Sequence, residues 1–144
     1  MLWLRHEINQ DGTWDLIGLI KLLSFFSDPD EISHRNIAIG RCSSVDIQVD
    51  NIGVSRWHAF ITIFRNKDTS LRLVLEDNRS ENGTWINGQK IIEPADLKIG
   101  DSIDFFGRQR IVLIESPYEL REQWGERKPG ETHKKTFLVG RNGT

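Results

Sequence analysis

The sequence predicts an all-β sandwich. Three observations carry that expectation. Short runs of β-forming residues recur along the chain, roughly ten or eleven of them. Turn signals built on Gly, Asn and Asp separate the runs. No stretch gives a convincing helix: Leu16, Leu19, Ile20 and Leu23 do match a helical stripe over residues 16–26, but the Asp11-Gly12 turn just before them favours a returning strand. Strands this short are unstable alone, so two sheets must pack face to face, with the loops gathered at the sandwich ends.

Taken in order, Leu2 to Ile8 is the first strand, and Asn9-Gln10-Asp11-Gly12 turns the chain because Asp-Gly tolerates positive φ. Trp14 to Leu23 returns, with Gly18 weakening the strand or marking a bulge. Ser27 to Glu31 is an acidic loop. Asn36 to Ile39 is a strand that runs into Gly40-Arg41, and Asp46 to Val49 is a short alternating one. His58 to Phe64 alternates again, with Phe60 and Ile63 out of phase, which allows one bulge. Asn66 to Thr69 turns into Leu71 to Glu76, where Leu71, Leu73 and Leu75 share a face. Asp77 to Gly83 is polar and looped. Thr84 to Ile86 and Gln89 to Ile92 flank Asn87-Gly88, a type I′ turn signal. Leu97 to Asp101 is a strand end and tight turn. Ser102 to Phe106 and Arg108 to Ile114 form a hairpin about Gly107, with Arg110, Val112 and Ile114 on one face and Ile111, Leu113 and Glu115 on the other.

At 144 residues the chain suits one domain with a real core. We assign that domain to residues 1–115. Residues 116–144 hold Pro117, Pro129, many charges and few apolar groups, and read as a linker or poorly ordered tail. Within it, Lys135 to Val139 suits one more strand, as the start of a following domain. The echo of the loops in Gly140 to Thr144 reads as coincidence.

The net charge of −2 gives no global field for nucleic acid or a membrane surface, so any anion site must be local. The single cysteine, Cys42, excludes an internal disulfide and reads as a buried or inert thiol. Arg5, Glu7 and Asp11 interrupt any signal peptide, and the apolar stretch from Leu16 to Phe26 contains Lys21 and falls well short of the ~20 residues of a membrane span. The sequons at Asn78, Asn82 and Asn142 read as turn chemistry or chance.

Catalysis has little support. Ser55 and His58 are three apart, a spacing that does not aim an imidazole at a hydroxyl on a strand or turn, and no G-x-S-x-G elbow occurs. The four histidines lack metal-ligand spacing, so no metal or cofactor is expected. Gly40-Arg41 lacks the Gly-Lys-Ser/Thr of a Walker-type phosphate-binding loop.

Anion binding fits better. A phosphorylated side chain carries about −1.5 to −2 charges and three strong acceptor oxygens. A guanidinium, a hydroxyl and backbone N–H groups hold it well together. Singly, Arg41, Ser55, Arg56 and Asn82-Gly83 are ordinary surface and turn residues; it is their order that points to a site.

That order is Gly40-Arg41, Ser55-Arg56-Trp57-His58, Ser80-Glu81-Asn82-Gly83-Thr84, Asn87-Gly88 and Leu97-Lys98-Ile99-Gly100-Asp101. It resembles the forkhead-associated (FHA) family of phosphothreonine-binding modules over about residues 2–115. The resemblance implies an eleven-stranded β-sandwich with phosphopeptide-binding loops at one end. It implies that Arg41 and Ser55 hold the phosphate and that Arg56 adds a third contact. Asn82 matches the residue that hydrogen-bonds the peptide main chain. Gly40, His58 and Gly83 match loop-shaping positions, with His58 an internal strut rather than a base, and Asn87 supporting the loop that bears Asn82. Trp57 and Trp85 are expected to pack under the loops as core. Glu81 stands where the family often has a small or hydroxylated residue; its carboxylate would repel phosphate unless it points away or pairs with Arg79. Gly53 stands where some relatives carry an arginine that reads an acidic residue, a selectivity not expected here.

The N-terminal hairpin and the Gly83 to Lys90 motif look most like FHA domains of fungal checkpoint and meiotic Ser/Thr protein kinases; DNA-break-repair scaffolds are the other setting. The resemblance implies a nuclear, non-enzymatic reader of a phosphothreonine partner, working by recruitment or phospho-dependent self-association, with no direct nucleic acid or membrane contact. Alternatives are a phosphate-independent β-sandwich interaction domain, the N-terminal piece of a kinase whose catalytic lobe is absent, and a hydrolase using Ser55 and His58.

Overall fold

A computed structural model describes residues 1–26, 33–68 and 70–115. The expected acidic loop, the tip of the turn at Thr69, and the tail with its candidate strand lie wholly or partly outside the described residues. Among the described residues, eleven strands form two sheets. They are β1 (Trp3–Gln10), β2 (Thr13–Lys21), β3 (His34–Gly40), β4 (Ile47–Gln48), β5 (Ala59–Arg65), β6 (Leu71–Asp77), β7 (Trp85–Ile86), β8 (Gln89–Lys90), β9 (Ala95–Leu97), β10 (Ser102–Phe105) and β11 (Gln109–Ile114). One sheet runs β2-β1-β11-β10-β7-β8, the other β4-β3-β5-β6-β9.

Turn chemistry closes the hairpins where expected. Asp11 and Gly12 take φ of 56° and 85°, Asn87 and Gly88 of 51° and 82°, and Phe106 and Gly107 of 58° and 74°. Paired positive φ values match the right-handed twist of the flanking strands. The returning strand ends two residues earlier than expected, at Lys21, and Leu22–Phe25 form a 3₁₀ turn. The turn drops Leu22, fully buried, into the core, and its N–H donates to Leu2 O at 3.1 Å. A bulge sits beside Gly18: the β1–β2 register steps from His6↔Gly18 to Glu7↔Leu16, leaving Ile17 unpaired.

The bulge allowed in the fifth strand does not exist. Ala59, Ile61, Ile63 and Arg65 point inward in unbroken register with β3 and β6, while Phe60 and Phe64 lie on the outer face. An aromatic residue on the outer face is what made the pattern look out of phase. The eighth strand stops at Lys90, and Ile92 is exposed.

The core lies between the sheets. Leu4, Ile103, Phe105, Ile111 and Leu113 from one meet Ile37, Ile39, Ile61, Ile63, Leu73 and Leu75 from the other. Apolar burial on this scale is the main force holding the layers together. Ile61 pairs with Ile37 and Leu75 at its centre. Ile61→Ala is expected to cost about 2–5 kcal/mol, read as a lower urea midpoint; a negligible shift would mean that Ile61 does not fill the interlayer space.

The register also sets the end that matters. Ile39 faces Ala59, and Ala59 faces Asp77. Gly40, the last residue of β3, and His58 and Asn78, which adjoin the ends of β5 and β6, therefore lie at one rim.

Candidate functional site

The rim is built on residues 53–55. Arg41 follows β3, and its backbone N–H donates to Ser55 O at 3.0 Å. Its side-chain Nε donates to Val54 O at 2.9 Å. The Asn82 side-chain amide donates to Gly53 O at 2.9 Å. Ser55 Oγ accepts the Glu81 N–H at 3.0 Å. Arginine, hydroxyl and carboxamide thus come from three chain segments and meet on one tripeptide. Each keeps a free valence: the two terminal nitrogens of Arg41, the hydroxyl hydrogen of Ser55, and one N–H and the oxygen of Asn82 have no partner among the described residues. The Arg56 side chain is exposed and likewise has no partner among the described residues. That set presents donors to an anion and a donor–acceptor pair to an extended peptide.

Two buried devices fix the tripeptide. At Gly40, an added Cβ would stand 2.0 Å from Arg56 O and 2.8 Å from Arg56 C. The close approach lets Cys42 N–H reach Arg56 O at 3.3 Å and His58 N–H reach Ile39 O at 2.8 Å. The second device is His58, fully buried. Its Nδ1 accepts from Ser55 N–H at 3.0 Å and its Nε2–H donates to Gly83 O at 2.8 Å. Its ring meets Phe105 edge-on, with centroids 5.6 Å apart. One neutral imidazole therefore bolts the Ser55 loop to the Asn82 loop, and nothing in this geometry aims it at the Ser55 hydroxyl as a base.

Burial pushes His58 below its ordinary value of 6.5, with the Gly83 bond and the Asp77 charge pulling the other way. A folded value below the unfolded one means that the unfolded chain binds the proton first as pH falls. The stabilisation is complete above about 6.5 and is lost as pH drops from there through the lower folded value. Buried His6 shifts in the same direction, mainly by burial. Stability is therefore expected to fall as pH drops below about 6.5; a urea midpoint that stays flat as the pH is lowered through that value is the contrary result.

The Asn82 loop is organised by Asp77, a role its sequence position did not announce. Its carboxylate accepts from the Ser80 hydroxyl, from Ser80 N–H at 3.1 Å and from the Thr84 hydroxyl at 2.6 Å. Burial raises its pKa, but these bonds outweigh it and hold the carboxyl below the usual range. Ser80 Oγ in turn accepts Gly83 N–H at 2.9 Å. Gly83, at φ of 91°, is buried under Lys90, whose Cε would lie 2.7 Å from an added Cβ. The only signal in the sequence was the Asp-x-x-Ser spacing, which favours a local side-chain-to-backbone turn.

Other expected roles need correction. Among the described residues Asn87 bonds Asp101 Oδ1 at 2.9 Å and Ser102 N–H at 2.9 Å, so it ties the β7–β8 hairpin to the turn before β10 and not to the loop bearing Asn82. Trp57 is 42% exposed and is not core. Trp85 is half-buried, with its indole N–H 3.4 Å from Asn82 O. Glu81 and Arg79 are both exposed and form no ion pair with each other. No group of three or more potential metal ligands occurs among the described residues, and no helix there is long and apolar enough to cross a membrane.

Residues 37–106 match the family model of the FHA domain. No curated protein matches the sequence. Several solved structures share the fold. Mycobacterium tuberculosis EmbR in complex with a low affinity phosphopeptide aligns at 24% identity and a TM-score of 0.52, covering 80% of this chain and 24% of that one. The Slr1951 protein from Synechocystis sp. aligns at 21% identity and a TM-score of 0.59, covering 81% of this chain and 99% of that one. The MEK1 FHA domain in complex with a HOP1 phosphothreonine peptide aligns at 21% identity and a TM-score of 0.54, covering 77% of this chain and 94% of that one.

Proposed function

We propose that this chain, whose residues 37–106 match the family model of the FHA domain, is a binding module and not a catalyst, and that it reads phosphothreonine in a partner protein. Arg41 and Ser55 hold the phosphate, Arg56 adds a charge beside it, and Asn82 bonds the partner's main chain. The observation that carries this reading is the convergence of Arg41, Ser55 and Asn82 on residues 53–55 with their remaining donors unspent. FHA domains in solved complexes bind phosphopeptides, among them the MEK1 domain with its HOP1 peptide, and phosphothreonine-dependent FHA interactions have been structurally described.

The setting that the resemblance supports is checkpoint, DNA-damage or meiotic signalling in a nucleus. Residues 1–115 act there as the reader within a kinase or a repair scaffold. The module acts by recruitment or by phospho-dependent self-association, without direct contact to nucleic acid or membrane. Glu81, whose carboxylate has no partner among the described residues and which adjoins Asn82, disfavours acidic side chains next to the phosphothreonine.

An oriented phosphopeptide library tests phosphate dependence and flanking preference together. Equal affinity for phosphorylated and unphosphorylated forms of the best peptide would overturn the assignment in favour of a phosphate-independent interaction domain.

A further inference from the structure

The segment matched by the family model ends at residue 106 and begins at residue 37. Two buried polar side chains outside it form a relay to the loop that carries the site. His6 on β1 and Gln109 on β11 are 6% and 4% exposed. His6 Nε2 lies 2.7 Å from Gln109 Oε1. The Gln109 amide nitrogen donates to Asp50 O at 3.3 Å. Once the amide N–H is committed to a carbonyl, its oxygen can only accept, so His6 carries its proton on Nε2 and the chain of donors runs from β1 through β11 to the loop.

Asp50 begins the segment that ends in Ser55. Inside that segment Asn51 is the hub: its carbonyl accepts Val54 N–H at 2.9 Å and its side-chain oxygen accepts Gly53 N–H at 2.9 Å. The same hairpin braces the segment a second time, since an added Cβ at Gly53 would lie 3.1 Å from the Phe106 ring. Asp50 is thus the fixed point from which the carbonyls of Gly53 and Val54, the anchors of Asn82 and Arg41, are positioned.

We propose that His6 and Gln109 are positioning residues for the ligand site: through the bond to Asp50 O they hold the 50–55 loop in its binding shape. The binding consequence rests on the phosphothreonine reading, while the loop consequence does not. A strut inside a sandwich also contributes to stability, so the test must separate position from stability.

Gln109→Glu does so. Its carboxylate still accepts from His6 and can no longer donate to Asp50 O. In the free protein, amide exchange at Gly53 and Val54 is expected to speed up about tenfold relative to the natural chain. Amides of the β1–β11 ladder should keep their protection. Affinity for the best phosphothreonine peptide is expected to fall about three- to tenfold. Should the added charge unfold the domain, Gln109→Met, which is neutral and of similar length, is put through the same two measurements. Unchanged loop exchange in a folded variant overturns the proposal, and so does loop exchange that rises only in step with the β1–β11 ladder. If the natural chain binds no phosphopeptide, the phosphothreonine reading falls, while the exchange result still decides whether the strut holds the loop.

Discussion

Arg41→Ala is expected to weaken binding of a phosphothreonine peptide at least tenfold while leaving the fold in place. The guanidinium spends Nε on Val54 O and leaves its planar terminal fork without a partner among the described residues. A charge-assisted hydrogen bond is worth about 1.5–3 kcal/mol, and each 1.4 kcal/mol is a factor of about ten. Losing even one such bond therefore meets the expectation. The folded state loses little, because the side chain is exposed and the backbone N–H bond to Ser55 O is untouched. Arg41→Lys should fail nearly as badly: an ammonium cannot sit on Val54 O and present a two-pronged donor outward at once. Calorimetry against the same peptide with and without phosphate checks this. Natural affinity in Arg41→Ala would remove the residue from the site.

Gly40→Ala should be the more disruptive change although it adds one methyl group. The new Cβ meets the Arg56 carbonyl, a backbone group pinned on both sides. Relief requires the 55–58 segment to move away from the end of β3. That movement breaks the bonds from Arg41 N–H to Ser55 O, from Cys42 N–H to Arg56 O and from His58 N–H to Ile39 O. Overpacking costs about 1–3 kcal/mol, and each lost hydrogen bond adds about 0.5–1.5 kcal/mol. The sum, about 3 kcal/mol or more, corresponds to a fall in Tm of roughly 10 °C or more. Binding should fail as well, since Ser55 shifts with the segment. The opposing result is a Tm within a degree or two of the natural chain, which would mean that strand and loop lie further apart than described.

The extent to which the sequence foretold these results differs between fold and site. Strand positions were legible because alternation and turn residues are local: Leu73 and Leu75 declare a buried face, and Asp11-Gly12 and Asn87-Gly88 declare reversals. The misses came where one local signal had two meanings. Phe60 reads as core by type and lies on the outer face, so a regular strand looked bulged. Leu22 and Leu23 continue an apolar run, yet the chain leaves the sheet there to plug the core. Trp57 reads as core by size, but its carbonyl is held by the Asn78 side chain at 3.1 Å at the rim and the ring stays outside.

From its residues alone this chain specified an all-β sandwich and an ordered set of side chains suited to an anion, because both are written in short-range pattern and composition. Only the tertiary structure decided that Arg41 and Asn82 anchor on the carbonyls of Val54 and Gly53, that His58 bolts two loops together, and that Gln109 reaches Asp50. Those bonds join residues from 13 to 59 positions apart. Their partners are mostly backbone carbonyls, which every residue carries and no sequence pattern marks. Strand register alone brings them within reach.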